Sequence, residues 1–115
     1  MKTVWLGFAT AAALTLTSCG GEECTSANAK ATSSVSQKNT AFDPECFKVT
    51  KGTEVTFKND DGMAHTVTTE SGQAETFDSG NLAAGASFKH TFDTVGSIKL
   101  TCTYHPSMYT TAIVE

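Results

Sequence analysis

The stretch SIKLTCTYHPSMY, residues 97–109, joins a strand-like run to a short loop with soft side chains. In its first half apolar and polar residues alternate, so the apolar side chains and Cys102 point to one face of a strand. In its second half Cys102, His105 and Met108 follow one another at intervals of three residues. This spacing is either chance in a loop or three ligands set around one metal ion.

Similar short segments fill the chain after residue 40. Alternating, β-favouring runs such as EVTFKN, HTVTTE, SFKHTFD and TAIVE are separated by glycines, and none carries a helical period. Short strands with turn signals at such intervals are typical of an antiparallel sandwich or barrel. The sequence therefore predicts one all-β domain over residues 41–115, an antiparallel Greek-key β-sandwich of about seven or eight short strands.

The chain begins with a segment that is typical of a secretory leader. Lys2 precedes an apolar run that is too short to span a membrane and that ends in small residues. Its ending LTSC, residues 16–19, resembles a bacterial lipobox, in which cleavage precedes a lipidated Cys19. The alternative is an ordinary secretory signal with a chance cysteine. Both predict a signal peptide over residues 1–18 and an exported protein, periplasmic or at the cell surface, and the lipobox adds a lipid anchor to the membrane.

Residues 19–40 are predicted to form a flexible tether between this anchor and the domain. They are rich in small and polar residues, and Val35 is the one large apolar side chain between residues 20 and 39. Without Lys2 the mature chain has seven lysines, no arginine and twelve acidic residues, a net charge near −5. This balance argues against nucleic acid as a partner.

The strand pattern brings a second histidine to Cys102. His65 opens the run HTVTTE and shares a strand face with Val67, whereas Cys102 closes an inward-facing row. If these two strands run antiparallel, the end of one lies beside the start of the other. His65 and Cys102 would then meet, half buried, at one end of the sandwich.

The cysteine count also points to Cys102. With Cys19 acylated, Cys24 and Cys46 can pair with each other in an oxidising compartment. Cys102 then has no partner, and an odd thiol in an exported protein would be oxidised or cross-linked unless something occupies it. A metal ion would do so.

The residue types indicate which metal. One thiolate, two imidazoles and a thioether, from Cys102, His65, His105 and Met108, form the ligand set of a blue-copper electron-transfer centre. Zinc prefers tetrahedral sets of Cys, His and carboxylate. The sequence therefore predicts one type 1 copper ion at these four residues. The structural alternative is an inert, buried Cys102.

From about Phe42 to Glu115 the sequence resembles the cupredoxins, or blue copper proteins, of the plastocyanin/amicyanin type. FDPECFKVTKGTEVTFKNDDGMAHTV matches the opening half of that family, and LAAGASFKHTFDTVGSIKLTCTYHPSM its closing half. The spacing from His105 to Met108 is that of the short ligand loop of amicyanin-like members. The resemblance implies that the same four residues bind copper and that Asn59 braces the ligand loop. It also shows a departure, since Thr66 stands where the family usually has an asparagine that ties the two ligand loops together.

These features predict an extracytoplasmic electron carrier and not an enzyme. Three histidines in the chain cannot supply the second copper cluster that a copper oxidase or nitrite reductase needs. Redox partner proteins are expected to dock near His105, where Met63, Tyr104 and Pro106 offer an apolar edge. His90 is expected to be structural. A copper-delivery protein is the alternative function, although this sequence lacks the Met/His-rich open sites of such proteins.

Overall fold

The computed structural model describes residues 23–115, which contain strands and no α-helix. The predicted leader and the lipidation site Cys19 lie outside this part of the chain. Within it, no helix offers the long apolar span that crosses a membrane. The strands are β1 (Lys30–Ala31), β2 (Ser34–Lys38), β3 (Ala41–Asp43), β4 (Cys46–Val49), β5 (Glu54–Asn59), β6 (Thr68–Thr69), β7 (Ser87–Thr91), β8 (Gly96–Cys102) and β9 (His105–Val114).

The strands form two sheets that share one core. One sheet has the order β1-β4-β9-β8-β6 and the other β3-β2-β5-β7. Phe47 of the first sheet meets Phe57 of the second edge-on, with ring centroids 6.2 Å apart, and both side chains are fully buried. The predicted all-β sandwich is confirmed.

Both sheets are mixed, which corrects the expectation of a purely antiparallel sandwich. Strand β4 pairs in parallel with both β1 and β9, and β2 pairs in parallel with β5. Parallel neighbours need a long connection between them, and here the chain crosses between the sheets before it returns. An alternating sequence shows which face a side chain takes, but it does not show the direction of the neighbouring strand.

The folded part starts well before residue 41, so the predicted tether is wrong over much of its length. Strands β1 and β2 lie inside the segment that was assigned to it. Val35 and Gln37 are the two inward-facing residues of β2, and both are buried. The Gln37 amide donates a hydrogen bond of 2.9 Å to the carbonyl oxygen of Thr66. The polar side chain at this inward position concealed the strand from a search for apolar alternation.

Cys24 and Cys46, the pair that the cysteine count allowed, are joined by a disulfide. Cys46 opens β4, and Cys24 precedes β1. The bond therefore fastens the N-terminal segment to the sheet that also carries Cys102. Cys102 is the one free cysteine in the described part of the chain, and it is buried.

His90 is part of a structural cluster at the edge of the sandwich. Its Nε2 lies 2.6 Å from Glu75 Oε2, and its ring stacks on Phe77 with centroids 3.8 Å apart. Glu75 also accepts hydrogen bonds from the backbone amides of Asp93 and Thr94. Burial raises the pKa of Glu75, but the hydrogen bonds from His90 and the two amides outweigh it and hold the pKa below its usual value.

Glu75→Gln is expected to lower the free energy of unfolding at pH 7 by about 1 kcal/mol, because a partly buried, charged hydrogen-bond acceptor is lost. The pKa of Glu75 is lower in the folded than in the unfolded chain. Its contribution is therefore complete above the unfolded pKa and is lost as the pH falls through the folded one. Urea unfolding at pH 7 and pH 3 should show a difference between wild type and variant that shrinks in acid. The exposed Glu70→Gln is the control, and an equal difference at both pH values would contradict this role of Glu75.

Candidate metal centre

Three of the four predicted ligands meet at one end of the sandwich. Cys102 ends β8, and His105 begins β9 after a two-residue turn. His65 precedes β6 and is held by backbone hydrogen bonds in both directions with Leu82. Antiparallel pairing of β6 with β8, with Thr68 opposite Thr101, brings His65 to Cys102 as the sequence pattern predicted.

The spacing of the donor atoms fits one metal ion. Cys102 Sγ lies 3.7 Å from Nδ1 of His65 and 3.7 Å from Nδ1 of His105, and the three ligand atoms all lie within 4.8 Å of one another. Metal bonds of about 2.0 Å to nitrogen and about 2.3 Å to sulfur, in a trigonal plane, place nitrogen and sulfur about 3.7 Å apart. The group His65, Cys102 and His105 can therefore hold one copper ion.

The three ligands differ in their access to solvent. His65 and Cys102 are fully buried, whereas His105 is half-buried. A metal ion in this group would be shielded from water on most sides. The imidazole of His105 is the ligand that reaches towards the surface.

Met108 follows His105 by three residues in the sequence, and its side chain lies in the hydrophobic core. Its side chain is 2% exposed, and its carbonyl oxygen accepts a 3.1 Å hydrogen bond from the hydroxyl of Thr101. This bond fixes the backbone of β9 against β8 one residue before Cys102. The thioether of Met108 as the fourth ligand stays a prediction.

Thr66 ties the two ligand segments together, the task that the resemblance gave to an asparagine. Its backbone amide donates to Cys102 Sγ at 3.3 Å. Its hydroxyl oxygen accepts from the backbone amide of Thr103 at 2.9 Å. An amide aimed at the sulfur places a partial positive charge beside this ligand atom. Thr66 therefore both joins the loops and contributes to the electrostatics of the site.

Asn59 braces the segment that leads to His65. Its fully buried side-chain amide donates to the carbonyl oxygens of Met63 and Leu82, at 2.8 and 2.9 Å. Its side-chain oxygen accepts from the amide of Asp61 at 2.9 Å. The bracket that the resemblance implied is thus present, and it acts on the first ligand loop.

Sequence reasoning missed Asp61. Its Oδ2 lies 2.9 Å from Nε2 of His65. Hydrogen bonds from His65 and from the backbone amides of Thr40 and Gly62 lower the pKa of Asp61 to about 2. The only signal in the sequence is an acidic residue four positions before the histidine, and within DDG it is typical of an ordinary turn.

The residues that the sequence predicts around His105 are exposed. Met63 and Tyr104 are about half exposed, at 46% and 49%, and Pro106 is also exposed. The hydroxyl of Tyr104 donates to the side-chain oxygen of Asn81 at 2.9 Å, which holds this ring in place. These three side chains are therefore accessible to a partner.

Comparison with known proteins gives one family and several similar folds. The family model for copper binding proteins of the plastocyanin/azurin family matches residues 29–115. No curated protein matches the chain. A purple cupredoxin from Nitrosopumilus maritimus is similar with a TM-score of 0.65 and 24% identity, over 71% of this chain and 98% of that one.

Two other solved structures resemble the chain to the same degree. A variant of amicyanin in its Cu(I) form has a TM-score of 0.67 and 23% identity, over 71% of this chain and 80% of that one. The copper-containing nitrite reductase from Thermus scotoductus SA-01 has a TM-score of 0.67 and 25% identity, over 71% of this chain but 22% of that one. At sequence identities of 23–25%, these similarities support a shared fold and no finer statement about function.

Proposed function

Because the chain belongs to the plastocyanin/azurin family of copper-binding proteins, we propose that it is a carrier of single electrons through one type 1 copper ion. One observation carries the proposal: a buried cysteine sulfur and two imidazoles converge at distances that fit a single metal ion. This combination is typical of blue-copper electron-transfer sites.

Cys102, His65 and His105 would hold the copper, with the thioether of Met108 as a fourth, weaker ligand. Copper bound there supplies a one-electron couple between Cu(II) and Cu(I). The protein keeps the ligands in one arrangement, since Cys102 and His105 sit on adjacent strands and Thr66 connects both loops. Ligands that do not move between the two oxidation states leave little reorganisation to slow electron transfer.

Electrons would enter and leave by the imidazole of His105, the half-buried ligand. A redox partner protein would dock on the exposed side chains of Met63, Tyr104 and Pro106, which are predicted to surround it. Interfaces with an aromatic, apolar centre exclude water from the contact. The proposal includes no enzymatic step, and the chain matches too small a part of the nitrite reductase to carry over that activity.

We also propose that the protein is exported and anchored to a membrane by a lipid on Cys19. The disulfide between Cys24 and Cys46 supports an oxidising compartment. The anchor itself follows from the LTSC ending of the leader. Mass spectrometry of the N-terminal peptide tests it, because an unmodified Cys19 in the membrane-purified protein would exclude a lipid anchor.

The test of the electron-carrier function is the optical spectrum of the chain without its leader, titrated with Cu(II). We expect a strong blue sulfur-to-copper absorption at one equivalent, which a reductant bleaches and an oxidant restores over repeated cycles. Release of copper on reduction would favour a copper-delivery protein. A colourless protein would leave Cys102 as a packing residue.

A further inference from the structure

The Nε2 nitrogen of His65 faces away from Cys102 and contacts a carboxylate. Nδ1 of the same ring lies 3.7 Å from Cys102 Sγ, and Nε2 lies 2.9 Å from Asp61 Oδ2. The side chain of His65 is completely buried and that of Asp61 is 16% exposed. The ring is therefore held between the metal position on one side and a partly buried negative charge on the other.

Asp61 is itself fixed from several directions. Its Oδ2 also accepts from the backbone amide of Thr40 at 2.8 Å, and its Oδ1 accepts from the amide of Gly62 at 2.9 Å. Thr40 lies in the two-residue turn between β2 and β3. The bracket residue Asn59 holds the amide of Asp61. The turn between β2 and β3 and the loop of Asp61 itself therefore fix the carboxylate beside the histidine.

We propose that Asp61 is a positioning residue for the copper site, which orients His65 and favours Cu(II) over Cu(I). The proposal rests on the copper-binding function proposed above. A carboxylate that accepts from Nε2–H fixes the proton on Nε2 and leaves the lone pair of Nδ1 for the metal. It also makes the imidazole a stronger donor, and its negative charge stabilises the more highly charged ion. Both effects lower the reduction potential.

The orientation can be tested without copper. In the copper-free protein at neutral pH, nitrogen NMR should show His65 as the Nε2–H tautomer. In Asp61→Ala this preference should weaken, because Nε2 has lost its acceptor. An Nδ1–H tautomer in the wild-type protein would overturn the positioning role, whether or not the protein binds copper.

The effect on copper is tested by the reduction potential and by the separate affinities for Cu(II) and Cu(I). Loss of a hydrogen-bond partner of a ligand typically costs about 10- to 100-fold in metal affinity. We expect Asp61→Ala to lower the affinity for Cu(II) relative to Cu(I) by about tenfold, which is a rise of about 59 mV in potential. Asp61→Asn should show a smaller rise, because the amide oxygen still accepts but the charge is gone.

Asp60→Asn is the matched control. Asp60 is the adjacent carboxylate, and it bonds to Ser36 at 2.8 Å and to Lys58 at 3.6 Å, not to a ligand. Its neutralisation removes the same charge from the same loop and should leave the potential nearly unchanged. A potential shift in Asp60→Asn as large as that in Asp61→Ala would show a general charge effect and overturn the proposal. Failure of the wild type to bind copper would instead reject the proposed function, and the tautomer measurement would still decide the orientation.

Discussion

Replacing Cys102 with serine is expected to abolish the blue absorption of the copper-loaded protein and to lower its Cu(II) affinity more than about 100-fold. That figure is the upper end of what is typical when only a partner of a ligand is lost, and here the thiolate itself is removed. A serine hydroxyl stays protonated at neutral pH and supplies neither the charge nor the soft sulfur donor. The band arises from sulfur-to-copper charge transfer, so it cannot survive the substitution.

The copper-free fold should tolerate this change. The backbone amide of Thr66, which donates to Cys102 Sγ, can donate to the serine oxygen, so the cost in stability should be about 1 kcal/mol. Thermal unfolding of the copper-free variant measures it. His90→Gln is the control, because His90 lies in the Glu75–Phe77 cluster and should leave copper binding intact. A blue band that persists without Cys102, or that disappears with His90→Gln, would refute the assigned ligand group.

The group of His65, Cys102 and His105 could be predicted from the sequence, because the face of a strand on which a side chain lies depends on the local sequence. Alternation with a period of two places Cys102 at the inward end of SIKLTC and His65 at the inward start of HTVTTE. One further assumption, antiparallel pairing, brings the two together, and the register of β6 with β8 confirms it. The soft ligand types then indicate copper.

The features that were missed depend on contacts between distant segments. Gln37 is polar and yet faces the core, where its side-chain nitrogen donates to the carbonyl oxygen of Thr66. Asp61 is acidic and lies in a turn, and its role depends on Thr40 in a hairpin that the sequence did not predict. The parallel pairing of β2 with β5 likewise leaves no local mark in the sequence.

Replacing Cys24 and Cys46 together with serine is expected to lower the free energy of unfolding by about 3 kcal/mol. The bond closes a loop with a sequence separation of 22, and the loss of chain entropy in the unfolded state sets this magnitude. A domain of this size has a total stability of only about 5–15 kcal/mol. Urea unfolding of the copper-free protein measures the change, and wild type with its disulfide reduced should match the double variant.

Loss of the disulfide should leave the copper site unchanged. Cys46 lies opposite Thr111 on β9, six residues from His105, which is about 20 Å along a strand. The blue spectrum of the folded double variant should therefore equal that of the wild type. If the variant instead unfolds at the same urea concentration as the wild type, the N-terminal segment must be held without the disulfide. The parallel pairing of β1 with β4 and the hydrogen bond from Lys48 to Ser26 would then suffice to hold it.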